Sequence, residues 1–341
     1  VKAKKAVVMC TGGYEYNQQM IRDYMHLPIF TTKGSPLNTG EGMDERFRGT
    51  IDAPLAPDGL EQARATGRRL AGRPLTAVYS SPLLRARSTA EAIAGPHGLP
   101  VRVLPGLSSM SFGQWAGLSH ADVARQWPDV YAAWRRDPLG VPIPGGESVA
   151  DLRDRALATV RDVTARHAPG ETLLVVTHQA VTRLLACGLV DMPTTAYWQV
   201  RQDLCNLSTY LYDVDSHRFS VETLNDTCHL DPELPLHRGP GVRIILVRHG
   251  QTAWNPGAGP ERFRGRTDLP LDATGEAQAE RVARRLAPAS IAAIYASPLQ
   301  RARQTVAPLA ARLGLPVQSH EGLTDINYGL WQGLTHDEAA T

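Results

Sequence analysis

Apolar positions along the chain form short runs that alternate with stretches of helical spacing. The runs Leu173–Val176 and Ile244–Val247 are rich in branched side chains, which is typical of buried parallel strands. Apolar residues recur every three or four positions from Leu60 to Leu70 and from Val149 to Val163, which predicts two amphipathic helices. Strands that alternate with helices predict an α/β fold, with a doubly wound, mostly parallel sheet flanked by helices.

Two Ser-Pro pairs predict where helices begin. Ser81 and Ser297 each follow a predicted short strand and each precede a proline. Serine is favoured at the N-cap and proline at the first helical position, so each pair predicts a helix start. Arg85 and Arg301 then fall in the first turns of these helices. Both arginines are therefore expected near the carboxyl ends of strands, where such a sheet binds its ligand.

An internal repeat organises most of the chain. Glu45–Ala124 (the first repeat) and Glu261–Ala340 (the second repeat) align without a gap at an offset of 261 − 45 = 216 residues. Of the 80 aligned positions, 37 are identical. A period of about 200 residues indicates tandem domains rather than a solenoid.

Composition changes near residue 44. All four lysines and four of the six methionines precede that point, whereas 31 of the 32 arginines follow it. A segment of different origin explains this bias, so the sequence predicts four parts. They are a separate segment at 1–43, a domain at 44–230, a linker at 231–242, and the N-terminal half of a second domain at 243–341.

Charge and cysteine content narrow the classes of partner and compartment. The 341 residues carry 36 basic and 34 acidic side chains, a net charge of +2, so neither nucleic acid nor a membrane surface is an expected partner. The apolar stretch Leu173–Val190 contains polar side chains and is not expected to span a bilayer. No signal peptide leads the printed chain, and its four cysteines have no zinc-binding spacing, so we expect a cytoplasmic protein without a metal. The sequence leaves the oligomeric state open.

Candidate chemistry begins at Arg248, His249 and Gly250, directly after an apolar run. An imidazole can attack phosphorus, and a guanidinium can bind phosphoryl oxygens bidentately. The tripeptide opens an ordered series of motifs: LVRHGQTAWN, RFRGRTDLPLDATG, ASPLQRARQT and GLTDINYGLWQGLT. This series resembles the histidine phosphatase superfamily, also called the phosphoglycerate mutase-like family. The resemblance covers residues 243–340 and, without the opening motif, residues 45–230.

The resemblance implies a phosphomonoester hydrolase that works through a phosphohistidine intermediate on a small phosphorylated metabolite, without a cofactor. It implies that His249 is the nucleophile, that Arg248 and Arg301 hold the phosphoryl oxygens, and that Asn255 lines the phosphate pocket. It also implies that Asp325 is the proton donor. A phosphatase is favoured over a mutase, because the first copy reaches its end at 224–230 without room for the long insertions of mutases.

The first copy retains only part of this set. By resemblance, Arg85 matches the phosphate-binding arginine and His178 in VVTHQA matches the second catalytic histidine of the family. Ser109 stands where the second repeat has its acid, and serine cannot act as a comparable acid. If residues 4–17 are a degenerate first strand, Thr11 stands where the second copy has its nucleophile.

The second copy has the opposite defect. At the offset of 216, the counterpart of His178 would be residue 178 + 216 = 394, beyond the printed chain. We therefore expect about half of its sheet to be missing here, so the activity of this chain is open. One hypothesis is a composite site, in which Ile244–Val247 and His249 complete the first copy.

Two other functions remain open. The first copy could be a non-catalytic module that binds a phosphorylated ligand or a partner. Residues 1–43 contain KAVVMCTGGYEYNQQMIRDYM and GSPLNTGEGM, which resemble a segment of flavin-dependent fumarate reductases and ketosteroid dehydrogenases. Together with the lysine and methionine bias, this resemblance is favoured over the degenerate first strand. This resemblance implies a fragment of an FAD-dependent oxidoreductase. The fragment lacks the GxGxxG element that binds the pyrophosphate, so flavin binding is not expected.

Overall fold

The computed structural model describes residues 5–11 (backbone only), 46–137, 139–230, 242–255 and 260–341. The chain divides into two compact units, Val1–Pro232 (the first unit) and Glu233–Thr341 (the second unit). Nearly all of the flavoprotein-like segment and of the predicted linker lies outside the described residues.

The first unit contains a mixed six-stranded sheet. Its strand order is β3-β2-β4-β1-β5-β6. The first four strands in this order are parallel to one another, while β5 is antiparallel to both β1 and β6. The strands are β1 (Lys5–Thr11), β2 (Ala77–Ser80), β3 (Val101–Val103), β4 (Thr172–Thr177), β5 (Leu207–Asp213) and β6 (Arg218–Asp226).

Helices cover both faces of this sheet. Leu173 and Val175 of β4 pack into one apolar cluster, whereas Leu174 and Val176 pack into the other. A strand buried on both faces explains the continuous apolar run in the sequence. The helices are α1 (Pro57–Leu70), α2 (Leu84–Ala94), α3 (His120–Gln126), α4 (Pro128–Arg136), α5 (Val149–Ala165) and α6 (Gln179–Gly188). The predicted strand at β4 and the predicted helices at α1 and α5 are confirmed.

The strand β1 lies between β4 and β5. Its last residue, Thr11, pairs with Thr177, the last residue of β4. If residues 4–17 are a degenerate first strand, they are expected to lie at this position in the sheet. The composite-site hypothesis instead places residues 244–247 between β4 and β5. In the structure, β1 occupies that position.

The second unit contains a two-stranded parallel sheet. Its elements are α7 (Ala273–Leu286), β7 (Ile294–Ala296), α8 (Gln300–Leu313), β8 (Val317–Ser319) and α9 (His336–Ala339). The α/β class with a parallel sheet and flanking helices is confirmed by both units.

The prediction of a buried strand at Ile244–Val247 is wrong. These residues form neither a helix nor a strand, and Ile244 and Leu246 are 76% and 90% exposed. In the first unit, the corresponding strand β1 is stabilised by hydrogen bonds to β4. Among the described residues of the second unit, the sheet contains only β7 and β8, and neither pairs with this apolar run.

The predicted N-caps are also wrong. Helices α2 and α8 begin two residues after the prolines, and their N-cap residues are Leu83 and Leu299. Ser81 and Ser297 instead accept hydrogen bonds from the backbone N–H groups of these leucines, at 3.3 Å in both units. A local serine cap is unnecessary because a distant aspartate accepts from the first helical N–H in each case.

Candidate active site

A cleft of about 1340 Å³ opens within the second unit. One part of the cleft is apolar and the other is strongly basic. The apolar part includes Ile244, Leu246, Leu286, Ile294 and Leu309. The basic part contains Arg248, His249, Arg264, Arg301 and Asp325. Four of the residues singled out in the sequence therefore line one cleft, together with Arg264, which was not singled out.

The orientation of His249 is fixed by its own backbone neighbour. Its Nδ1 atom lies 2.7 Å from the carbonyl oxygen of Gly250. A carbonyl can only accept a hydrogen bond, so Nδ1 carries the proton in the neutral ring and Nε2 carries the lone pair. The Gly250 N–H in turn donates to the Thr305 hydroxyl at 3.0 Å. The neutral imidazole therefore has its lone pair on Nε2.

Its surroundings also keep His249 neutral. Burial lowers the pKa of His249, and the positive charges of Arg301, Arg248 and Arg264 lower it further. The hydrogen bond to Gly250 opposes these effects in part. Only a neutral imidazole can attack phosphorus, so this lowered pKa favours nucleophilic chemistry near neutral pH.

The buried guanidinium of Arg301 lies in the first turn of α8, as predicted. It is 1% exposed. It donates to the carbonyl oxygens of Thr267 at 2.8 Å and Gly265 at 2.6 Å, and to Asp325 Oδ2 at 3.0 Å. The two carbonyls fix the plane of the guanidinium, and the half-exposed carboxylate of Asp325 lies beside it in the cleft.

Two further arginines line the same cleft. Arg248 is exposed, and no described carboxylate lies within salt-bridge distance of it. The side chain of Arg264 is 12% exposed and donates to the carbonyl oxygen of Trp254 at 2.6 Å. Sequence reasoning missed Arg264. Its only signal is the RFRG string that both repeats share, and that string does not say which arginine enters the cleft.

Asn255 has a local structural role. Its side-chain oxygen accepts hydrogen bonds from the backbone N–H of Thr252 at 2.8 Å and from the Thr252 hydroxyl at 3.0 Å. These bonds close the turn that follows His249. The predicted contact of Asn255 with phosphate stays a prediction.

His178 belongs to the first unit, where it follows β4 and occupies the N-cap of α6. It is 6% exposed, and its Nε2 lies 2.7 Å from the hydroxyl oxygen of Ser81. Burial, followed by the charges of Arg85 and Arg155, holds the pKa of His178 well below its ordinary value. This imidazole is therefore neutral over the physiological pH range.

Arg85 lies in the first turn of α2, as predicted, and is 7% exposed. It donates to the carbonyl oxygens of Ile51 and Gly49, both at 2.8 Å. Ser109 aligns with Asp325 of the second repeat, and its carbonyl oxygen accepts a hydrogen bond from Arg155 at 3.1 Å. The first unit thus retains a buried arginine and a neutral histidine but has no carboxylate at position 109.

The described residues contain no group of three or more His, Cys, Asp or Glu side chains that could hold a metal ion. Within that same part of the chain, every helix is too short or too polar to cross a membrane.

Two curated proteins that are named as phosphatases are similar to about half of the chain. Phosphoserine phosphatase 1 from Hydrogenobacter thermophilus is 30% identical over 185 residues, which cover 54% of this chain and 86% of that protein. Adenosylcobalamin/alpha-ribazole phosphatase from Escherichia coli is 31% identical over 166 residues, which cover 48% of this chain and 81% of that protein. These relatives confirm the prediction of a phosphatase and of a phosphoric monoester hydrolase.

The fold and family comparisons give the same result. The solved structure of Bacillus stearothermophilus YhfR aligns with a TM-score of 0.55 at 25% identity, covering 67% of this chain and all of that one. The family model described as "Histidine phosphatase superfamily (branch 1)" matches residues 38–227 and 244–341, which together are most of the chain. The two matched segments carry the motifs and the buried arginines described above, and the chain belongs to the histidine phosphatase superfamily.

Proposed function

We propose that the cleft of the second unit hydrolyses small phosphomonoesters through a phosphohistidine at His249. The observation that carries this proposal is the Nδ1 contact with the Gly250 carbonyl oxygen, because it leaves the Nε2 lone pair for attack. The cleft around this atom contains the charges that phosphoryl transfer requires.

The reaction has two balanced steps. The Nε2 lone pair attacks phosphorus, the ester P–O bond breaks, and the leaving alkoxide takes a proton from the carboxyl group of Asp325. Water then attacks the phosphohistidine and gives a proton to the carboxylate of Asp325, the P–N bond breaks, and inorganic phosphate leaves while His249 regains its lone pair. General acid catalysis at the alkoxide contributes about 10²–10⁴-fold in enzymes of many kinds.

Fixed positive charge supplies most of the remaining stabilisation. The transition state spreads negative charge over three equatorial oxygens, and cations held before the reaction stabilise it best. Arg301 is preorganised by two backbone carbonyls, and Arg248 is exposed beside it in the cleft. The carboxyl group of Asp325 lies 3.0 Å from Arg301 in the same cleft, where its protonated form can donate to the leaving oxygen. No step of this scheme uses a metal or a cofactor.

The substrate is a small phosphorylated metabolite on this proposal. Support comes from the relatives, which are named as phosphatases for phosphoserine and for alpha-ribazole. A phosphatase rather than a mutase is favoured by the short first copy, which ends near residue 230.

The chain on this proposal is an incomplete tandem, with one copy at 44–230, a linker at 231–242 and part of a second copy at 243–341. The gapless repeat, the two separate matches to the family model, and the paired arginine environments all support this organisation. Residues 1–43 on this proposal include the degenerate first strand, which the pairing of β1 with β4 and β5 supports.

A second candidate function concerns the first unit. Thr11 ends β1, aligns with His249 and pairs with Thr177, and Ser109 stands at the position of the acid. A unit that keeps Arg85 and His178 without a nucleophile or an acid can bind a phosphate group and cannot form a phosphohistidine through the same scheme. The first unit is therefore a candidate phosphate-binding module.

The experiment is hydrolysis of p-nitrophenyl phosphate by the full chain in the presence of EDTA. The His249→Ala variant should fall to the level of the blank, because the attacking atom is gone. The matched control is His217→Asn, at an exposed histidine with φ of 53°, a conformation that asparagine tolerates. Activity that survives in the His249→Ala variant, or no activity in the unaltered chain, would contradict the proposal.

A further inference from the structure

Arg264 is a third guanidinium in the cleft, beyond the two that the phosphoryl group requires. Its side chain is only 12% exposed, yet it lines the same cleft as His249 and Arg248. An arginine buried to this degree is costly unless an anion or several hydrogen bonds compensate its charge.

That compensation is weak in the described structure. The guanidinium donates to the carbonyl oxygen of Trp254 at 2.6 Å, which uses one of its five N–H donors. Its nearest carboxylate belongs to Glu261, with an N–O distance of 3.9 Å. Arg301, by comparison, has a carboxylate at 3.0 Å and two backbone carbonyls.

The electrostatic environment agrees with this geometry. Burial lowers the pKa of Arg264, and the neighbouring charge of Arg248 lowers it further. Arg264 itself lowers the pKa of His249, so the guanidinium and the imidazole interact through the same cleft. An anion bound beside Arg264 would reduce the repulsion between the arginines.

We propose that Arg264 is a specificity-determining residue that binds a carboxylate of the substrate whose phosphoryl group is attacked by His249. The proposal rests on the proposed function and names its substrate class, the phosphomonoesters of small hydroxy acids. The planar guanidinium of arginine can donate two parallel hydrogen bonds to a carboxylate. On the proposed function, Arg248 and Arg301 bind the phosphoryl group, so Arg264 is left to bind the carboxylate. The similarity to a protein named phosphoserine phosphatase favours a carboxylate, because phosphoserine carries one.

The test compares two ligands that differ only at the carboxylate. D-3-Phosphoglycerate and sn-glycerol 1-phosphate share the phosphoryl ester end and the configuration at C2, and a CH₂OH group replaces the carboxylate in the second. Dissociation constants are measured by calorimetry on the full chain carrying His249→Ala, so that neither ligand is consumed. Because His249 is neutral near pH 7, this substitution leaves the charge of the cleft unchanged.

The expected result is a preference of about 10- to 100-fold for the carboxylate ligand, as charge-assisted hydrogen bonds provide. Adding Arg264→Gln should reduce the preference to less than about twofold and leave the affinity for glycerol phosphate within about threefold. The charge-matched control is Arg281→Gln, at an exposed position of α7, which should retain the preference.

Four results would overturn the proposal: no binding of either ligand, no preference in the His249→Ala protein, a preference that survives Arg264→Gln, or equal weakening of both ligands by that substitution. Equal weakening would show that Arg264 binds the phosphoryl group together with Arg248 and Arg301. The proposed function is tested separately. Hydrolysis can fail in the unaltered chain while the preference holds, and hydrolysis can persist while the preference is absent.

Discussion

Arg85 in the first unit and Arg301 in the second unit have nearly the same environment. Each lies in the first turn of a helix and donates to two backbone carbonyls 34 and 36 residues earlier in the chain, at 2.8 and 2.8 Å in the first unit and 2.8 and 2.6 Å in the second. Backbone acceptors do not depend on side-chain identity, so this scaffold persists while the residues around it change.

The two environments differ in the groups that would carry out chemistry. Arg301 has the carboxylate of Asp325 at 3.0 Å, whereas the corresponding residue in the first unit is Ser109. Thr11 ends the strand that aligns with the segment leading to His249. The buried arginine with its two carbonyl acceptors (the frame) therefore occurs both with a neighbouring carboxylate and without one. On the proposed function, this difference separates phosphate binding, which needs the frame, from the reaction, which also needs the nucleophile and the acid.

The largest expected effect is that of Arg301→Met in the second unit. This substitution removes a buried cation from the cleft, so kcat/KM for p-nitrophenyl phosphate should fall by at least about 10³-fold. The control is Arg303→Met, at an exposed position on the same helix, where a change below about twofold is expected. A small effect of Arg301→Met would show that the buried arginine serves the fold alone.

A smaller effect is expected for Asp325→Asn, and it should depend on the leaving group. For alkyl phosphates, kcat should fall by about 10²-fold, because the alkoxide loses its proton donor. For p-nitrophenyl phosphate the loss should be much smaller, because p-nitrophenolate leaves without a proton. Equal losses for both substrates, measured as kcat side by side, would contradict the role of acid.

The reverse substitution adds a carboxylate to the first unit at the position that Asp325 has in the second. Ser109→Asp restores the carboxylate beside the frame of the first unit and leaves Thr11 in place. Placed in the His249→Ala background, it should produce no hydrolysis, because an acid cannot act without a nucleophile. Hydrolysis by this double variant would contradict the proposal that the first unit keeps the buried arginine but lacks a nucleophile.

A pH-dependent effect on stability is expected from His178. Its pKa is depressed in the folded state, while the unfolded state titrates near about 6.5, so acid is bound preferentially by the unfolded chain. Below that pH, the free energy of unfolding of the first unit should fall by up to about 1.4 kcal/mol per pH unit until the folded-state pKa is reached. Urea unfolding followed by tryptophan fluorescence should show a flatter pH dependence for His178→Asn. An identical slope in both proteins would contradict this assignment.

The smallest effect concerns the helix starts that carry the two arginines. The backbone N–H groups of Leu84 and Gln300 donate to Asp52 and Asp268 respectively, each at 2.6 Å. Replacing either aspartate with alanine should cost about 1 kcal/mol, as the loss of an N-cap acceptor does. Urea midpoints should shift by similar amounts in Asp52→Ala and Asp268→Ala, and unequal shifts would show that the two frames are not equivalent.

Much of the fold could be predicted from periodicity because both faces of the sheet are covered in the first unit. The run at Leu173–Val176 is a strand since neighbouring strands and two apolar clusters surround it. The similar run at Ile244–Val247 is not a strand, because an apolar sequence has no fixed conformation without a partner in the sheet. The helix starts were misplaced because their capping aspartates lie 32 residues away, a distance that no local pattern records.

The candidate site was predictable where a motif fixed a residue next to a strand or helix end. Arg301 was found in this way, whereas His249 and Asp325 were found from the family resemblance, and the structure places all three in one cleft. Arg264 was missed because its importance depends on burial and on nearby charges, which the sequence does not show. The hydrogen bond between His249 Nδ1 and the Gly250 carbonyl oxygen was missed for a similar reason, because it depends on the local backbone conformation.

The most direct test of the account is to trap the phosphorylated intermediate. The full chain is mixed with a ³²P-labelled phosphomonoester, quenched in alkali and digested, and the labelled peptide is sequenced. The account predicts an acid-labile, alkali-stable label on the peptide that contains His249, with none on the peptide that contains His178 and none in the His249→Ala variant. A label on another residue, or hydrolysis without any phosphohistidine at position 249, would contradict it.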